Sequence, residues 1–149
     1  GRVPGAYFSS SNFRHFATTV DQWAAADRGV LRYYGGRSLL VQSHGESILA
    51  YLRARCERPG LYFMDEPETA LSPRSQVALM RLVHEAAESG RAQFVIATHS
   101  PILLACPGAV IYSFDRAPVA PIEYEDTPTV RVYRQFMEDP AGALAGLAV

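Results

Sequence analysis

Asp65 and Glu66 follow an apolar run in LYFMDEP, and His99 follows a second such run in FVIATHS. Adjacent carboxylates on a strand point in opposite directions. One of them can therefore hold a cation, directly or through water, while the other faces a different partner and acts on a water molecule. His99 can hydrogen-bond a phosphate or orient a water from the end of its own strand. A third stretch, QSHGES, offers the Ser43 hydroxyl, a close backbone approach at Gly45 and the free amides of a helix N-terminus, a combination suited to an anion. Each has a plainer reading: DEPE as a solvated acidic turn, Ser and Gly as a helix cap, and the lone histidine as structural.

The elements that must position these groups are legible from periodicity. GAYFSS reads as a strand, followed by a loop and then a helix over NFRHFATTVDQWAAADRG that stops at Gly29. YYGGRSLLVQSHGES is rich in turn formers and leads into a helix over ESILAYLRARCE, with Leu49, Leu52 and Cys56 on one face. LYFMDEP has the continuous apolar character of a strand buried on both faces. SPRSQVALMRLVHEAAESG begins with Ser72 and Pro73 as N-cap and first helical position and ends at Gly90. AQFVIATHSPILLACPG repeats strand, polar tip and short helix. AVIYSFD and PIEYED read as two further strands and VRVYRQFMEDP as a terminal helix closing the core, with docking patch as the alternative. Strands alternating with helices imply an α/β architecture with a largely parallel sheet flanked by helices, in a single domain over 1–149. The ends of parallel strands are then the edge at which ligands are met.

Composition sets bounds. The 149 residues are 48% hydrophobic, enough for a folded core, and no apolar run approaches the roughly 20 residues that span a bilayer. With a formal net charge of −1 there is no overall basic field, so nucleic acid is neither supported nor excluded. Cys56 and Cys106 lie in apolar surroundings without metal-ligand spacing and read as reduced thiols of a cytoplasmic protein. Glu123, Glu125 and Asp126 are too few and too hairpin-like for a nuclease metal cluster. Trp23, His15 and His84 fall on helices and read as packing or surface residues, and Arg74 as a first-turn residue that is either solvated or in reach of a phosphate across a dimer.

The ordered set QSHGES, LYFMDEPETALS and VIATHSPIL resembles the C-terminal half of an ATP-binding-cassette ATPase, in particular the soluble bacterial ATPases related to the SMC and recombination-repair enzymes. The resemblance implies a P-loop NTPase fold of the cassette type, with ATP and Mg²⁺ as cofactors. It places Ser43, His44, Gly45 and Glu46 at the signature motif, which contacts the γ-phosphate held by the opposite subunit of a head-to-tail homodimer. It makes Asp65 the Walker B aspartate that supports Mg²⁺, Glu66 the acid that polarises the attacking water, Ser72 part of the D-loop and His99 the switch histidine. His44 stands where the family has the first glycine of SGG, so altered contacts are expected there.

The chain contains no lysine, and the Gly-x-x-x-x-Gly-Lys phosphate cradle is absent from it. The N-terminal P-loop half is therefore expected either upstream of Gly1, with this sequence an excerpt, or on another chain. Where the family carries a metal-holding Gln near GAYFSSSNFRHF, this sequence has Ser9 to Asn12, so a metal role there stays open. The expected function is ATP binding and hydrolysis once a Walker A segment is supplied. The alternative is a non-catalytic dimerisation or partner-binding module that keeps the fold.

Overall fold

The computed structural model describes residues 4–115 and 117–146, which form two compact units, residues 1–98 and 99–149. The first unit holds a three-stranded parallel sheet in the order β1 (Gly5–Ser9), β2 (Gly60–Asp65), β3 (Ala92–Ala97). Helix α1 (Ser10–Ala26) and α2 (His44–Cys56) lie in the connection from β1 to β2, and α3 (Pro73–Glu88) joins β2 to β3. The chain is thus α/β with a parallel sheet flanked by helices, consistent with a P-loop NTPase fold.

Parallel strands added in one direction through right-handed crossovers carry all their helices on one face of the sheet. The burial pattern agrees: Phe8, Tyr62 and Met64 are buried, while the alternate residues face outward. Tyr7, Phe63 and Val95 pair across the three strands in a single row and are 63%, 46% and 50% exposed. LYFMDEP is therefore covered on one face only among the described residues, and not on both as its apolar run predicts. The strands approach each other closely at their starts. A Cβ on Gly60 would lie 2.7 Å from the Pro4 carbonyl oxygen, which explains glycine at that position.

Covering the inner face is an aromatic cluster centred on Tyr51 of α2. Phe16 and Phe13 meet its ring edge-on at 4.7 and 5.7 Å, Phe8 lies tilted at 5.9 Å, Tyr34 stacks at 6.3 Å, and the Arg55 guanidinium lies 5.6 Å from its centroid. One ring thus joins β1, α1, α2 and the 3₁₀ turn Arg28–Tyr34, which begins where the first helix is expected to end, at Gly29, and runs into the turn-rich segment that starts at Tyr33. No loop separates β1 from α1, contrary to expectation: the strand ends at Ser9 and the helix begins at Ser10. The Asp21 carboxylate accepts from the Ser38 hydroxyl and the Leu40 amide, fastening the turn before α2 onto α1. Ile48, Leu52 and Cys56 of α2, with Leu79 and Val83 of α3, complete the core.

In the second unit Ser100 caps the short α4 (Pro101–Leu104) by accepting from the amides of Ile102 and Leu103. β4 (Ile111–Ser113) and β5 (Ala120–Ile122) form an antiparallel pair. PIEYED is only partly strand, because Tyr124–Asp126 coils into a 3₁₀ turn, with the Thr127 hydroxyl donating to the Tyr124 carbonyl at 2.8 Å. α5 (Pro128–Glu138) and an unforeseen α6 (Pro140–Gly146) follow. α5 buries Val130 but exposes Val132, Tyr133, Phe136 and Met137, so among the described residues it does not act as the core-closing helix expected of it. No described helix is long and apolar enough to cross a membrane.

Both cysteines are free thiols, in line with their reading as reduced, and burial pushes the Cys56 thiol up to about 12. The folded chain then keeps a proton that the unfolded chain releases above its ordinary thiol pKa. Stability is expected to fall as pH rises from about 9 towards 12, with a limiting slope of ~1.4 kcal/mol per pH unit. Urea titrations across this range, compared with Cys56→Ala, check the slope: a variant with the same pH dependence would assign it to other groups. Tyr51→Ala, which empties the centre of the cluster, is expected to cost about 3–5 kcal/mol by the same method. A loss below about 1 kcal/mol would mean that the cluster is not what fastens the helices.

Candidate active site

The acid pair ends the central strand of the sheet. Asp65 is the last residue of β2, in register with Ser9 of β1 and Ala97 of β3, and its exposed carboxylate accepts from the Tyr7 hydroxyl at 3.3 Å. Glu66 lies one residue beyond, with φ of 44°, the only described non-glycine residue in the left-handed region. A long side chain rarely adopts this backbone, and holding it there costs about 1–3 kcal/mol. The surroundings fix it from three sides. The Glu66 amide donates to the Ala97 carbonyl at 2.9 Å, and its own carbonyl accepts from the Ser10 hydroxyl at 2.6 Å and the Thr69 hydroxyl at 3.0 Å. Glu66 thus lies beyond the end of β2, on a turn held by Ser10 of α1 and Ala97 of β3, so the strand alternation expected to separate the two acids does not extend to it.

The frame extends further. Thr98, just past β3, donates to the Glu68 carboxylate at 2.6 Å, tying the end of β3 to the loop that follows Glu66. Tyr7 and Thr69 are not among the residues singled out by sequence, whereas Ser10 lies in the Ser9–Asn12 stretch left open for a metal role and Thr98 in the polar tip after FVIA; the structure shows both as hydrogen-bond donors that brace the acidic turn and its loop.

At the signature candidate, Ser43 is the N-cap of α2 in a reciprocal capping box. The Glu46 amide donates to the Ser43 Oγ at 3.3 Å, and Glu46 Oε2 accepts from the Ser43 amide at 3.0 Å and hydroxyl at 2.7 Å. These bonds hold the Glu46 carboxyl below its ordinary range. They also engage two of the groups that an anion would use, whereas the amides of His44 and Gly45 have no intrahelical acceptor, as at any helix start. The His44 ring stands edge-on to Phe13 at 5.7 Å. Gly45 does permit close approach, but to protein: a Cβ there would lie 3.2 Å from the Ala70 carbonyl oxygen and 3.4 Å from Leu71 Cδ2. The structure thereby brings the start of α2 against the segment leading to Ser72, which caps α3 by accepting from the Ser75 amide at 3.2 Å.

His99 opens the second unit, exposed and directly before the buried Ser100. Among the described residues, no three His, Cys, Asp or Glu side chains cluster closely enough to form a metal centre of their own. Mg²⁺ commonly takes one or two protein carboxylates and completes its shell with water and substrate phosphates. An exposed carboxylate such as that of Asp65, engaged by one long hydrogen bond, fits that use.

Comparison with protein families places these elements. The family described as "AAA domain, putative AbiEii toxin, Type IV TA system" matches residues 29–105, just over half of the chain and a span that takes in Ser43–Glu46, Asp65, Glu66, Ser72 and His99. The chain belongs to this family, and so to the P-loop NTPase superfamily, whose domains have nucleotide-binding, ATPase-like function and generally bind nucleotide with Mg²⁺. No curated protein matches the chain.

The Glu66 turn makes its backbone demand measurable apart from activity. Asparagine tolerates the left-handed region and a β-branched residue does not. Glu66→Val is therefore expected to be less stable than Glu66→Asn by at least about 1 kcal/mol in chemical denaturation, and Ser10→Ala to lose about 1 kcal/mol. Equal stability of the two Glu66 variants would mean that the turn relaxes freely.

Proposed function

We propose that the chain is the C-terminal portion of a cassette-type ATPase domain, binding and hydrolysing ATP with Mg²⁺ when a Walker A segment is supplied from outside this sequence, in cis or by another chain. The observation that carries this reading is the Asp65–Glu66 pair, which closes the central strand of a parallel sheet with Glu66 held by hydrogen bonds from both sides. In this reading Asp65 would hold Mg²⁺, which supplies charge neutralisation to the phosphates. Glu66 would orient the attacking water and draw on its proton, from a backbone held in place by hydrogen bonds. Ser43, His44, Gly45 and Glu46 would meet the γ-phosphate of an opposing subunit through the amides of His44 and Gly45, with the Ser43 hydroxyl released from its cap. Ser72 would lie at the same dimer contact, and His99 would sense the γ-phosphate. The head-to-tail homodimer and a cytoplasmic setting belong to the same proposal.

The second reading, a non-catalytic dimerisation or partner-binding module, draws on the exposed Tyr7–Phe63–Val95 row. Parallel sheets are ordinarily covered on both faces, and that row fits a missing layer of the same ATPase as readily as it fits a separate partner.

Hydrolysis decides between them. The 149-residue chain alone is expected to bind Mg-ATP poorly and not to turn it over. Joined to its Walker A half, it is expected to hydrolyse ATP, with Glu66→Gln lowering kcat at least a hundredfold (~2.7 kcal/mol) while ATP affinity stays within a few-fold. His99→Ala is expected to reduce turnover more than affinity. Turnover by the chain alone that is lost in Glu66→Gln would remove the requirement for a second half, and a complete protein without turnover would favour the non-catalytic module.

A further inference from the structure

Between α2 and α3 of the first unit runs an open cleft of about 500 Å³, whose walls carry Arg53, Arg74 and Arg81 against a single carboxylate, Glu85. Its floor is small and apolar, formed by Val77, Ala78 and the half-buried Leu82. Among the described residues none of the three guanidinium groups takes part in an ion pair or hydrogen bond. Glu85, one turn beyond Arg81 at the spacing that favours pairing, forms no ion pair with it. Arg74 lies in the first turn of α3, which contains no acid, so the helix dipole opposes its charge. Like charges gathered about one cleft, with Arg74 set against a helix dipole, are an arrangement that a bound anion would relieve.

From this cleft we infer a binding site for a run of phosphates, the chemistry shared by the backbone of a nucleic-acid strand and by linear polyphosphate. Arg74 and Arg81 are seven residues apart on one helix, which separates their attachment points by about 10.5 Å along the axis. Two guanidinium groups held that far apart suit successive charges of an extended ligand better than a single phosphate. Each presents the planar fork that takes phosphate oxygens in pairs. The open form of the cleft admits a chain passing through it, and the apolar floor gives sugars or bases a surface that a bare polyphosphate cannot use. Of the lining residues only Arg74, for which the sequence left open a reach to a phosphate across a dimer, touches on the ATPase reading, and the inference does not draw on that reading.

The test is fluorescence anisotropy with the whole 149-residue chain, a labelled mixed-sequence single strand of about 20 nucleotides and a labelled linear polyphosphate of similar charge, at roughly 50 mM salt without nucleotide. The triple variant Arg53→Gln, Arg74→Gln, Arg81→Gln is expected to weaken binding at least tenfold and to reduce the slope of log affinity against log salt by about 2. A charge-matched control, Arg14→Gln, Arg28→Gln, Arg32→Gln, is expected to change affinity less than twofold. Glu85→Gln, which keeps all three arginines and serves even where the triple variant folds poorly, is expected to tighten binding about two- to threefold. Tighter binding of the strand than of polyphosphate assigns the site to nucleic acid, and equal binding assigns it to the phosphate run alone. The inference is overturned if neither ligand binds at about 100 μM protein, if the control triple loses as much as the cleft triple, or if Glu85→Gln weakens binding.

Discussion

The arrangement of the first unit depends on one constraint, that parallel strands joined by right-handed crossovers and added in one direction keep their helices on one side. From it follow the aromatic core around Tyr51, the bare row of Tyr7, Phe63 and Val95 on the other side, and the gathering of all three strand ends at one edge. Because that edge is common to three strands, Glu66 can be held by Ser10 from beyond β1 and by Ala97 from β3 at once. An isolated acidic turn would lack both.

On the proposed ATPase reading, capping and phosphate contact would draw on the same groups at the starts of α2 and α3. Ser43 and Ser72 satisfy helix amides here, and the Ser43–Glu46 box is complete in itself. A phosphate meeting Ser43 or the Glu46 amide would exchange one hydrogen-bond partner for another, whereas the His44 and Gly45 amides have no intrahelical acceptor to give up. Replacing a satisfied cap returns less free energy than satisfying an orphaned amide.

Strong local signals were legible in the sequence. Pro73 after Ser72, the helical spacing of Leu79, Leu82, Val83 and Ala86 and the apolar run before Asp65 each specify an element from neighbouring residues alone, and the structure has those elements, with Leu79, Val83 and Ala86 buried. What could not be read depends on contacts distant along the chain. The left-handed turn at Glu66 is imposed by Ser10 and Ala97, residues 56 before and 31 after it in sequence, so no local pattern announces it. Phe63 looked interior because its own strand is apolar throughout, and its exposure follows from which side the crossovers take. The 3₁₀ turn at Tyr124–Asp126 arises where Thr127 recaptures the Tyr124 carbonyl, a side-chain choice that competes with strand.

Gly45 has a mechanical meaning as well as a steric one. With no side chain between them, the first turn of α2 rests on the Ala70–Leu71 backbone, four residues beyond Glu66, and Thr69 in between is hydrogen-bonded to the Glu66 carbonyl. The start of the helix and the acidic turn are thus neighbours through about four residues of chain, and a methyl group at position 45 would press on the Ala70 carbonyl within that short segment.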